Sequence, residues 1–265
     1  DNLTSESLTV NGLTYSAGYA YNALDYLSTL TYPKGQVVQF NPDGLGRPTT
    51  VSPYITKAIG YHPTGQPSSY SYANNRSTGV SINGRQWVDR IIADGGVEDL
   101  SYWYDGMANV KNIVDSRDSR YSRTLTYDGL DRLQTATGVW GSGGLSYDAT
   151  GNFLTQNIGG YNLTYSYSSN RVSGISGSAS FTFGYDAYGN IASNGYRNFT
   201  YDDASSLRSV TAGATPMANY DYDGKGMRVR AIRGAKETHV FYAKNGQLLG
   251  EYDTDGRYKE FVYLG

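Results

Sequence analysis

Phe181-Thr182-Phe183-Gly184-Tyr185-Asp186-Ala187-Tyr188-Gly189-Asn190-Ile191 is the stretch that decides the fold. Its first five residues alternate strictly, which places Phe181, Phe183 and Tyr185 on one face of a strand and Thr182 and Gly184 on the other. The next four have the chemistry of a turn. Asp186 can accept from a backbone N–H two residues on, and Gly189 takes a positive φ without a Cβ clash. A type I turn closed by a glycine bulge is a common hairpin connection, and Asn190-Ile191 then starts the return strand.

The same unit recurs on both sides. An apolar–hydroxyl–Tyr triplet stands at Leu13-Thr14-Tyr15, Leu30-Thr31-Tyr32, Leu100-Ser101-Tyr102 and Leu125-Thr126-Tyr127, and again at Leu145-Ser146-Tyr147, Leu163-Thr164-Tyr165 and Phe199-Thr200-Tyr201. Asp follows Tyr in Tyr127-Asp128, Tyr147-Asp148, Tyr185-Asp186, Tyr201-Asp202, Tyr222-Asp223 and Tyr252-Asp253. Gly stands four residues after Tyr at Gly151, Gly189, Gly226, Gly246 and Gly256. Anchoring tyrosines from Tyr104 to Tyr263 are spaced by about 20 residues, so the chain has room for about 13 units. The pattern predicts an all-β array of antiparallel hairpins, one long curved or spiralling sheet over 1–265, with degenerate repeats in 1–99 and well-defined ones in 100–265. A strand position with an apolar ring and a wet hydroxyl suits tyrosine on a half-buried face. Like rings on neighbouring hairpins would stack into cross-strand ladders.

Toward the N-terminus the turns survive better than the tyrosines. Asn41-Pro42-Asp43-Gly44-Leu45-Gly46-Arg47 matches the turn of Tyr127-Asp128-Gly129-Leu130-Asp131-Arg132, with Pro42 where Tyr belongs. Within the hard-to-place 77–99, Arg85-Gln86-Trp87-Val88-Asp89-Arg90-Ile91-Ile92 alternates partly and reads as strand. No linker, charge run or composition shift divides the chain.

Composition removes whole classes of chemistry. With no cysteine among 265 residues there is no disulfide, thiol nucleophile, zinc ribbon or iron–sulfur ligation. A net charge of −2 gives no reason to expect nucleic acid, and no apolar run approaches membrane-spanning length. His62 and His239 are too few for a His-rich metal site, and no Gly-x-Ser-x-Gly elbow supports a triad. Asp202-Asp203 and Asp253/Asp255 could be read as catalytic pairs, but they sit where Asp forms turns. The reading is therefore no catalytic residue, no metal and no cofactor. The residues singled out are structural: Tyr127, Asp128, Tyr147, Asp148, Gly151, Tyr185, Asp186, Gly189, Tyr222, Asp223, Gly226, Tyr252, Asp253 and Gly256. Gly141-Ser142-Gly143-Gly144 lacks the Lys-Ser/Thr of a phosphate loop and reads as a flexible hairpin connection. Trp87, Trp103 and Trp140 are candidates for stacking on a sugar ring.

The Tyr-Asp-x-x-Gly-Asn/Arg units resemble the YD repeats of the rearrangement-hotspot (Rhs) family, which includes insecticidal toxin complex B and C components, wall-associated bacterial toxins and teneurins. Tyr222-Asp223-Gly224-Lys225-Gly226-Met227-Arg228-Val229, Gly250-Glu251-Tyr252-Asp253-Thr254-Asp255-Gly256-Arg257 and Glu260-Phe261-Val262-Tyr263-Leu264-Gly265 follow the order seen near the end of such cores. The resemblance implies an antiparallel sheet spiralling into a hollow shell. In the toxin members that shell encloses a C-terminal effector. It also implies secretion or surface display, with a cargo domain and further repeats as partners. The family's Asp-Pro-rich self-cleaving motif is not in this sequence, so autoproteolysis is not carried over. Glycans are the alternative partner, and unpaired sheet edges predict some self-association.

Overall fold

The computed structural model describes residues 2–93 and 96–264. Strands make up nearly all of its regular structure, with a single 3-10 turn at Ser119–Tyr121. Strands pair antiparallel with their sequence neighbours in three meanders, of four, thirteen and nine strands, spanning 5–39, 60–182 and 184–260. The predicted antiparallel hairpin array is thus what the chain forms. The chain leaves the thirteen-stranded sheet and enters the nine-stranded one within the deciding stretch itself. Phe181–Thr182 pairs with Arg171–Gly177, whereas Gly184–Tyr185 pairs with Ile191–Ser193. By its internal contacts the chain divides into two compact units, 57–182 and the combination of 1–56 with 183–265.

The discontinuous unit has a closed core. Val10, Tyr15, Ala17, Leu30, Tyr32 and Val38 from the first strands are buried, as are Val229, Ala231, Val240, Phe241, Leu249 and Tyr252 from the last ones. The Tyr15 ring stacks on Tyr252 with centroids 4.6 Å apart. The Tyr32 hydroxyl donates to the Phe261 carbonyl at 2.8 Å, and the Lys34 N–H donates to Glu260 at 3.1 Å. Burying several large side chains at roughly 1.5–3 kcal/mol each outweighs what any one hairpin could contribute alone.

Residues 57–182 are built differently. Among the described residues, Ala136 is the one apolar strand residue of the thirteen-stranded sheet that is fully buried, and most others are half-exposed. This sheet is one layer, held by its ladders, its turns and small cross-strand contacts. Tyr147 faces Phe153 across a pair at 4.9 Å, and Phe153 continues to Tyr165 at 5.9 Å, an aromatic row of unlike, tilted rings in place of the expected stack of like ones. The hydroxyl residue of the triplet has a role as well. Thr126 meets Thr135 at 2.6 Å and Ser146 meets Thr155 at 2.6 Å, and Thr200 meets Ser209 at 2.7 Å in the other unit.

Two local expectations are corrected. Gly141-Ser142-Gly143-Gly144 is not a flexible connection but the start of the strand Gly141–Tyr147, and the turn lies at Val139-Trp140. The glycines serve close approach, since a Cβ on Gly143 would stand 2.5 Å from the Asn157 carbonyl oxygen. Likewise Arg85-Gln86-Trp87 is turn rather than strand, and Val88–Ala93 is the strand. Asn83 does what Asp does elsewhere, accepting from the Arg85 and Trp87 N–H groups at 2.9 and 3.2 Å.

Candidate functional site

The repeated turn is the chemically organised element of this chain. Asp148 Oδ1 accepts from the N–H groups of Thr150 and Asn152 at 2.8 and 2.9 Å. Asp128 holds Leu130 and Arg132 in the same way, Asp186 holds Tyr188 and Asn190, and Asp223 holds Lys225 and Met227. The second carboxylate oxygen takes the fifth residue's side chain, as Asp128 does with Arg132 at 2.7 Å and Asp186 with Asn190 at 2.9 Å. These donors stabilise the charged carboxylate. The Asn152 amide and then the Thr150 hydroxyl hold Asp148 down to about 2. Every one of these carboxylates is committed to its own backbone, which leaves none poised for proton transfer.

The fourth turn residue takes a left-handed backbone. Gly151, Gly189, Gly226 and Gly256 have φ of 92, 91, 78 and 93°. The same slot holds Ala108 at 74° and Asp131 at 59°. An alanine there carries about 1–2 kcal/mol of strain, against a smaller unfolded-state penalty for glycine. Ala108→Gly is therefore expected to stabilise the unit by about 0.5–1 kcal/mol, measured as a rise in the urea unfolding midpoint.

The tyrosine hydroxyls differ from expectation. Seven of them donate to a backbone carbonyl of the preceding repeat. Tyr104 reaches Val88, Tyr127 reaches Val110, Tyr147 reaches Leu133 and Tyr167 reaches Phe153, at 2.6–2.9 Å. Tyr201, Tyr222 and Tyr263 reach Ile191, Leu207 and Leu248 at 2.9–3.0 Å. The register explains it. Each ladder between repeats stops three residues before the tyrosine, at Thr135/Gly144 for Tyr147 and at Ser209/Asn219 for Tyr222. The carbonyl two residues beyond the last pair is then met by the side chain instead of a strand N–H. Burial raises the pKa of Tyr104, Tyr127, Tyr201 and Tyr222. Around Tyr147 the link is reinforced by the Arg132 guanidinium, 4.5 Å above the ring, which also donates to the Asp148 carbonyl. Tyr147→Phe keeps the ring and removes one bond of about 1 kcal/mol. The expected result is that loss, with faster amide exchange in the strand Leu133–Gly138.

Tyr252 and Asp253 depart from this scheme. The neighbouring strand Lys236–Tyr242 runs on past them, pairing His239 with Tyr252 and Thr238 with Asp253, so no carbonyl is left for a tyrosine to reach. Tyr252 turns into the core and bonds Glu260 at 3.0 Å, while Asp253 accepts from Thr238 at 2.7 Å and pairs with Lys236 at 2.9 Å. Its turn is held by Asp255, which accepts from Arg257 N–H at 3.1 Å.

Beside Tyr252 lies a buried polar chain. His239 is fully buried, with Nε2 2.8 Å from Glu237 Oε1 and Nδ1 2.9 Å from the Tyr15 hydroxyl. The imidazole thus joins the Glu237 carboxylate on one side to the Tyr15 hydroxyl on the other. Glu237 also accepts from Arg230 Nε at 2.7 Å and Asn11 at 2.8 Å. Burial first, and then Glu237, raise the Tyr15 phenol. The row has the order of a nucleophile, a base and an orienting acid, but with His239 sealed it serves as a polar core linking strands 224 positions apart. His62, in the other unit, bonds the Val80 carbonyl at 2.8 Å.

Of the three tryptophans, Trp87 and Trp103 line one open groove of about 470 Å³ with Arg85, Asp89 and Tyr104. The Arg85 guanidinium stands 5.1 Å over the Trp87 ring, and Trp103 is half-exposed. Trp140 is apart from them, its ring laid over Gly138 and its Nε1 donating to the Ala136 carbonyl at 3.4 Å. Sequence reasoning did not identify the turn role of Asn83, or of Asn22, whose Oδ1 accepts from Leu24 and Tyr26. Admitting Asn into the Asp slot would have found both.

A meander of hairpins capped by Asp or Asn, seven of them tied to the preceding repeat by a tyrosine hydroxyl, defines a YD-repeat sheet protein. The Teneurin YD-shell family model matches residues 86–249, and the chain belongs to that family. Over 142 residues it is 30% identical to the tRNA nuclease WapA of Bacillus subtilis (strain 168), covering 52% of this chain and 5% of that protein. Among solved structures it resembles the Tc holotoxin pore of Photorhabdus luminescens, with a TM-score of 0.73 and 21% identity over 91% of this chain and 15% of the other. A TcdB2-TccC3 crystal structure superposes with a TM-score of 0.74 and 20% identity, covering 94% of this chain and 16% of the other. The chain thus spans a small fraction of the proteins it matches.

Proposed function

We propose that this chain is a non-enzymatic structural segment of a secreted or surface-displayed YD shell, in which residues 1–265 act as one repeat array that encloses or presents a cargo domain. The observation that carries the reading is the single-layer sheet of 57–182, in which capped turns and tyrosine links repeat while the chemistry-bearing side chains are spent on the backbone. The TcdB2-TccC3 likeness supports a shell context. Its partners would be the cargo and further repeats.

The test is protease protection in the full-length natural protein that contains this sequence. The segment outside the repeats is expected to survive a protease dose that digests it once it is produced alone. Equal digestion in both settings would overturn the proposal. Glycan binding is a second reading, favoured by the groove shared by Trp87 and Trp103. It requires that Trp87→Ala and Trp103→Ala abolish a signal on a glycan array that Trp140→Ala leaves intact. Self-association through sheet edges would appear as a concentration-dependent mass in sedimentation.

A further inference from the structure

The discontinuous unit carries a second polar feature that the shell reading does not use. Four adjacent strands, Arg228–Arg233, Lys236–Tyr242, Leu248–Asp253 and Tyr258–Glu260, share one face on which Ala231, Thr238 and Asp253 stand in register, as do Val240, Glu251 and Lys259. On that face lies a cavity of about 510 Å³ into which Arg228, Arg233, Lys236, Arg257 and Lys259 converge. Its two carboxylates are Glu251 and Asp253, and Asp253 is occupied by Lys236 and Thr238. Arg257 is drawn toward Asp255 at 3.6 Å. Among the described residues, Arg228, Arg233 and Lys259 have no ion-pair partner.

The two arginines are preorganised. Their guanidinium carbons stand 5.5 and 5.7 Å from the centroid of the same ring, Tyr220, which fixes both side chains by cation–π attraction. The Nε of Arg228 is buried without an acceptor. A buried donor left unmatched is costly, and cations gathered in one concavity repel each other until an anion arrives. The cavity has the size of a small-ligand site rather than a groove for an extended chain. Planar guanidiniums match tetrahedral oxyanions through paired N–H donors.

We propose that this cavity binds a multivalent oxyanion, a phosphate or sulfate ester group. The test titrates inorganic pyrophosphate, and separately a sulfated disaccharide, into the chain by calorimetry at physiological ionic strength. Saturable one-to-one binding is expected, weakened about tenfold or more by Arg228→Gln and by Lys259→Gln. Arg120→Gln, an exposed cation of the other unit, should leave it unchanged. Lys259 is exposed, so its variant reports on binding without disturbing the core. Tighter binding of the disaccharide would assign the group to a sulfated glycan, and tighter binding of pyrophosphate to free phosphate. The proposal is overturned if neither binds saturably, if Arg120→Gln weakens binding equally, or if a Glu-rich peptide binds in preference to both.

Discussion

Tyr252→Ala is expected to lower the stability of the discontinuous unit by about 3–5 kcal/mol. The ring is 1% exposed, stacks on Tyr15, and anchors the last strands against the first. Removing it leaves a cavity that the flanking sheets cannot close, because each is held by its own ladder. Tyr252→Phe separates the ring from the hydroxyl and should cost about 1 kcal/mol, the bond to Glu260. Urea unfolding followed by tyrosine and tryptophan fluorescence gives both values. A loss below 1 kcal/mol for the alanine variant would mean that this core is not what holds the first strands.

Glu237→Gln is the second large effect. One oxygen of Glu237 accepts from Arg230, His239 and Asn11, and a neutral amide cannot reproduce that charge. Because Glu237 and Arg230 retain some solvent contact, the cost falls below that of a fully buried pair, at about 2–3 kcal/mol. The effect has a pH signature. Arg230 first, and then His239, hold the Glu237 carboxyl down to about 2. Its folded value lies below its unfolded one, so its contribution is complete above the ordinary glutamate range and disappears as the pH falls toward 2. The glutamine variant should show a flatter loss of stability over that window. Parallel acid curves for the two proteins would remove Glu237 from the account.

The repeat was open to reading from sequence because it rests on local physics. Asp186 caps and Gly189 turns as a few adjacent residues dictate, whereas the break at Phe183, which splits the expected strand between two sheets, has no such local sign. What stayed hidden depends on stagger and on distant partners. No local feature of Tyr147 says that its ladder stops at Gly144, and so that its hydroxyl meets Leu133. Tyr252 carries the same dipeptide as Tyr147 yet is buried, since the strand Lys236–Tyr242 runs on beside it. The His239 chain could not be anticipated either, because Tyr15 and Asn11 lie over two hundred positions away. The Gly141–Gly144 run misled because glycine serves two needs, chain freedom and close backbone approach, that composition does not distinguish.

The tyrosine-to-carbonyl bond has a direction. In all seven links the donor lies in the later repeat and the acceptor in the earlier one. A chain that emerges from a ribosome or a translocation channel with its N-terminus leading therefore presents each of these seven tyrosines with a docking carbonyl already made. Growth is templated one hairpin at a time, and the unfinished end is always the one still tethered. Loss of a repeat leaves the next tyrosine without its acceptor and the preceding carbonyl without its donor, so each repeat removed breaks a link on both of its sides.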